Sequence, residues 1–68
     1  MTLRFTASFQ EEDNWIVGTC LENGVASQGH TLDEALSNLR EALALYYEDE
    51  PAPPKYPQVF VTSFDVAV

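Results

Sequence analysis

From Thr2 to Gln10 apolar and polar residues alternate. Leu3, Phe5, Ala7 and Phe9 fall on one side, and Thr2, Arg4, Thr6, Ser8 and Gln10 on the other. A period of two is the signature of a strand with one buried face, and it predicts a strand at about residues 2–10. Four polar residues, Glu11-Glu12-Asp13-Asn14, then make a turn. A second strand follows at about 15–22, with Trp15, Val17, Thr19 and Leu21 on one face and Ile16, Gly18, Cys20 and Glu22 on the other. Asn23-Gly24 predicts a tight hairpin turn of the primed type, because both residues accept positive φ at low cost. A short third strand is expected at about 25–29.

The period changes after Gly29. Thr31 with Glu34 three residues later has the spacing of a capping box. Leu32, Ala35, Leu36, Leu39, Ala42, Leu43 and Tyr46 recur at steps of three and four, which predicts an amphipathic helix over about 32–49. Asp33 and Glu34 suit its positive end, whereas Glu48-Asp49-Glu50 sit unfavourably at its negative end. Pro51, Pro53 and Pro54 stop the helix. The stretch from Val59 to Val68 is rich in β-branched and aromatic residues and predicts a fourth strand at about 58–67.

The expected order is therefore β-β-β-α-β in one α+β domain spanning residues 1–68. A right-handed return through the helix gives the sheet order 3-2-1-4, with the helix on one face. One helix cannot cover both faces of four strands, so the second face must be polar or meet another chain. The fourth strand is apolar on both sides, and Val59, Phe60, Val61, Phe64 and Val66 are the candidate residues of a homodimer or higher homo-oligomer interface.

Length and charge narrow the function. A chain of 68 residues has a small core. Eleven acids against three bases give a formal charge of −8, which repels phosphate backbones and anionic lipid and favours a basic partner. Neither direct nucleic-acid binding nor membrane association is expected. A lone cysteine excludes an internal disulfide. No apolar run approaches the ~20 residues of a membrane span, and the alternating start differs from a signal peptide. A cytoplasmic protein intact from Met1 is the expectation.

Catalytic chemistry finds little support in the residue pattern. His30 has no second histidine to complete a site, so an exposed residue of the strand-to-helix turn is the better reading. Cys20 has no glycine-rich elbow and reads as a small apolar strand residue. The carboxylates lie in turns and at helix ends, whereas a two-metal site needs acids converging from adjacent strands. No metal, cofactor or catalytic residue is assigned. The aromatic residues are interleaved with acids and suit packing or a protein interface, with Trp15 and Tyr47 as candidate anchors.

The segment Phe5, Ala7, Phe9, the acidic turn, Trp15-Ile16-Val17, and the run from Gly24 through Ser27-Gln28-Gly29-His30-Thr31-Leu32-Asp33-Glu34-Ala35-Leu36 resemble the HicB-like antitoxins. The continuation Asn38-Leu39-Arg40-Glu41-Ala42-Leu43 is similar too. The resemblance implies a partial RNase H-like fold and a non-catalytic antitoxin that occludes the active site of a small basic RNase toxin of HicA type, which cleaves mRNA. A short form without the C-terminal DNA-binding domain of many such antitoxins is the expectation. The acid that an RNase H-like active site carries on its first strand is also absent, since that strand reads Leu3-Arg4-Phe5-Thr6-Ala7-Ser8-Phe9. Candidate toxin contacts are Glu11, Glu12, Asp13, Trp15, Glu48, Asp49 and Glu50. The alternatives are a metal-dependent nuclease or hydrolase on the same scaffold, and an orphan protein-binding regulatory module.

Overall fold

The structure is a computed structural model that describes residues 2–49 and 54–68. Three antiparallel strands are followed by one helix: β1 (Ala7–Glu12), β2 (Trp15–Cys20), β3 (Ala26–Gly29) and α1 (Leu32–Tyr46). The sheet order is β1-β2-β3. Ala7 faces Cys20 and Glu12 faces Trp15 in the first pair; Ile16 faces Gly29 and Thr19 faces Ala26 in the second. The chain is therefore α+β, as its periodicities predict.

The register decides which face is buried. Phe9, Gly18 and Ser27 lie side by side across the sheet, as do Ala7 and Cys20. Helix α1 packs on β3 and β2 and covers this face of small residues. Cys20, Ala35 and Leu39 form the buried core, and Gly18 and Gly29 are buried with them. Small residues win because the helix comes very close: a Cβ at Gly29 would lie 2.6 Å from the Ala35 backbone nitrogen. The Trp15, Val17, Thr19 face points away from the helix, beside the polar Ser8, Gln10 and Gln28.

The turns differ in detail from expectation. The first hairpin closes on Asp13-Asn14, with Glu11 and Glu12 kept in β1 and Asp13 at φ 54°, a conformation Asp tolerates through local hydrogen bonding. The second is wider than the tight primed turn expected at Asn23-Gly24. Only Gly24 has positive φ there, at 80°. Cys20 N–H donates to the Val25 carbonyl at 2.7 Å, and Gly24 N–H donates to the Cys20 carbonyl at 2.8 Å. Asn23 Oδ1 accepts from Val25 N–H at 3.0 Å. The side chain thus stands in for a backbone turn, and φ at Asn23 need not be positive.

Helix α1 begins as the capping box predicts. Glu34 N–H donates to Thr31 Oγ1 at 3.1 Å, and His30 N–H donates to Glu34 Oε1 at 3.2 Å. It ends earlier than residue 49. Tyr47 N–H donates to the Leu43 carbonyl and Glu48 N–H to the Leu45 carbonyl at 3.3 Å, a tightened last turn with no basic residue in it. Glu48 and Asp49 meet the negative end of the dipole there, which disfavours continuing the helix. Glu50 lies outside the described residues.

The fourth strand expected at 58–67 is not formed, and with it the order 3-2-1-4 is absent from the single chain. Residues 54–68 belong to no helix or strand. A strand needs hydrogen-bond partners as well as β-forming residues, and the described residues of this segment are mostly exposed. The Cα radius of gyration is 13.8 Å and the longest extent 48 Å, against about 11 Å for the radius of a compact chain of this length. The excess reflects a projecting arm, and β1 is left as an edge strand. Among the described residues no helix is long and apolar enough to cross a membrane.

Candidate protein-binding surfaces

The hairpin β1–β2 carries the first group of candidate contacts. Glu11, Glu12, Asp13 and Asn14 are all exposed. Trp15 is 38% exposed, and its ring stacks on the His30 imidazole with centroids 4.0 Å apart. Because His30 immediately precedes the helix cap, this stack brings the hairpin end beside the first helical turn. The exposed Asp33 and Glu34 therefore join Glu11, Glu12 and Asp13 at one end of the molecule. Sequence reading treats Asp33 and Glu34 only as capping residues; the stack that unites the two groups has no local sequence signal.

Glu48 and Asp49 are exposed at the opposite end. The 15-residue helix separates the two groups by about 22 Å. The structure thus brings Glu11, Glu12, Asp13 and Trp15 together and places Glu48 and Asp49 elsewhere. Tyr47 is half-buried inside the chain rather than offered to a partner. Its ring stacks on Phe5 with centroids 5.5 Å apart, and Asn23 Nδ2 donates to its hydroxyl at 2.8 Å.

The groups with chemical potential are engaged in structure. Cys20 is fully buried, and its thiol donates to Glu22 Oε1 at 3.5 Å. Burial pushes the thiol pKa up, and the nearby Glu22 carboxylate adds to the rise against hydrogen bonds that lower it. The same Glu22 oxygen accepts from Thr6 N–H at 2.8 Å. Burial pushes the Glu22 carboxyl up, but these hydrogen bonds together outweigh it and hold the group below its ordinary value. Among the described residues no group of three His, Cys, Asp or Glu side chains is placed to hold a metal ion.

Between the N-terminal segment and α1 runs an open, largely apolar groove of about 650 Å³. Leu3 and Phe5 line one wall, and Leu36, Leu39, Leu43 and Tyr47 the other. Arg4 and Arg40 also line it, two of the three basic residues in the chain. Thirty-five residues separate them in sequence, so only folding brings them to one groove. At its end Tyr56 donates its hydroxyl to the Arg4 carbonyl at 2.8 Å, and its ring lies 5.1 Å from that of Phe5. This contact anchors the root of the arm.

Beyond that root the apolar residues are uncovered. Val59 is half-buried, but Phe60 is 83% and Phe64 80% exposed, and Val61 and Val66 are exposed as well. Of the five candidate oligomer residues, the structure leaves four open to solvent.

No curated protein and no solved structure matches the chain. The sequence profile that does match is that of a family of unknown function, and it runs from the N-terminal edge of the sheet through most of the arm. The chain belongs to this family, DUF7387, over residues 6–66.

Proposed function

We propose that this protein is a non-catalytic antitoxin of HicB-like type, which binds a small basic HicA-type RNase and blocks its mRNA-cleaving site in the cytoplasm. The observation that carries the reading is the acidic end of the molecule, where the exposed Glu11, Glu12 and Asp13 of the hairpin and Asp33 and Glu34 of the first helical turn flank the Trp15–His30 stack. Exposed carboxylates steer a basic partner into contact, and a half-exposed indole supplies an anchor whose rotamer is already fixed. The resemblance of the Gly24–Leu36 run to HicB-like antitoxins supports the same partner. It also implies a partial RNase H-like sheet, in which a fourth strand beside β1 would complete the order 3-2-1-4.

The test is an RNase-inhibition assay with a HicA-type toxin encoded beside this gene. Stoichiometric inhibition is expected, with affinity that falls as salt rises. Charge reversal at Glu11, Glu12 and Asp13 should weaken binding more than reversal at Glu48 and Asp49. Full toxin activity at saturating concentrations of the chain would overturn the proposal.

A further inference from the structure

We propose that the arm, residues 58–68, adds as a strand to the outer edge of β1 in a second copy of this chain, reciprocally, so that two copies exchange arms. The arm has what a strand requires except a neighbour. It is β-branched and aromatic, and it is uncovered from Phe60 onward. Strand β1 has the complementary need, being an edge strand whose first residue, Ala7, opens onto the apolar groove along the N-terminal segment.

Geometry and charge select the second copy as the occupant. The arm's root is pinned at Arg4 through Tyr56, and the rigid Pro57 follows. Beyond it the arm is mostly exposed, with Phe60 and Phe64 both at least 80% open to solvent. In the single chain the described part of the arm forms no strand against β1. A basic partner is poorly matched to the arm, because Asp65 is the only charged residue from Gln58 to Val68. For the same reason the arm is the segment by which two chains of charge −8 approach with little repulsion.

Side-chain alternation fits the docking. Phe60, Phe64, Val66 and Val68 share one parity. A strand beside β1 points one parity toward the helix side, where the groove lies. Asp65 is the arm's one acidic residue, and Arg4 stands on the wall of the groove that the arm would cover, so docking brings opposite charges to one rim. Each phenylalanine carries on the order of 150–250 Å² of surface. Two docked arms, with the grooves they cover, therefore pass the roughly 1,200 Å² at which specific interfaces begin.

Sedimentation velocity of the full chain at tens of micromolar tests the inference, and it needs no toxin, so failure of the antitoxin reading leaves it standing. A dimer is expected. Phe64→Asp should weaken it by about a hundredfold or more, with helical circular dichroism unchanged because Phe64 is 80% exposed in the single chain. Asp65→Arg and Arg4→Asp should each weaken it by about tenfold, and mixing these two variants should restore the dimer, since both of its exchanged contacts then pair opposite charges. Only intermolecular docking gives that rescue. A monomer throughout the concentration range, a dimer that survives Phe64→Asp, or charge variants that fail to rescue one another would each overturn the proposal.

Discussion

Gly29→Ala is the substitution that most directly tests how the helix sits on the sheet. Its added Cβ would lie 2.6 Å from the Ala35 nitrogen and 2.9 Å from both the carbonyl carbon and the Cβ of Glu34. Ordinary contact begins near 3.4 Å, so the helix start must move by roughly 0.8 Å. Two of these three atoms are backbone, and no rotamer change relieves them. The Ala35 nitrogen also donates to the Thr31 carbonyl at 2.9 Å, the first hydrogen bond of the helix. Overpacking against atoms that cannot yield costs about 1–3 kcal/mol, and the upper half of that range applies here. The stiffer unfolded chain returns about 0.4–1 kcal/mol. A net loss of about 1–2.6 kcal/mol is a large share of the roughly 3–10 kcal/mol expected for a domain of this size. Urea unfolding followed by helical circular dichroism, at one fixed protein concentration, reads it as a midpoint lowered by about 1–2 M. Gly24→Ala is the internal comparison. Its Cβ meets nothing within 4 Å, but φ is +80°, so only backbone strain of about 1–2 kcal/mol opposes the same unfolded-state gain. A Gly29→Ala midpoint at or above wild type, or one lowered less than that of Gly24→Ala, would refute the close-approach argument.

Two further outcomes follow from the pair at the end of β2. The Glu22 carboxyl is held below its ordinary value of 4.5 in the folded chain, so its contribution is present above about pH 4.5 and is lost as pH falls through the depressed folded value. Glu22→Ala should cost about 1–2 kcal/mol at pH 7, largely from the Thr6 N–H left without its acceptor, and the difference from wild type should shrink on acidification; a difference that grows toward low pH would sink this account. The Cys20 thiol, buried and shifted upward, should react with a disulfide reagent at pH 8 at least about a hundredfold more slowly in the folded chain than in urea, and equal rates would show that the core around it is open.

Local pattern determined a good part of this protein. Alternation over residues 2–10 marked the first strand only in part, since residues 2–6 lie outside β1, and the Thr31–Glu34 spacing marked the helix start to the residue, because capping is settled by side chains within one turn of their targets. Other features depended on residues far apart in the chain. Both faces of β2 carry apolar residues, and only the packed helix shows that the small one, Gly18 and Cys20, is inside. The helical stripe likewise overstates burial: Ala35 and Leu39 are inside, whereas Leu32 and Tyr46 are more than half exposed. Tyr47 turns inward because Phe5 and Asn23 meet it there. The acidic end acquires Asp33 and Glu34 only through the stack of Trp15 on His30. The arm shows the limit of local preference most clearly. Residues from Val59 to Val68 have the composition of a strand, but strand structure resides in hydrogen bonds to a neighbour, and the fold of the single chain provides none.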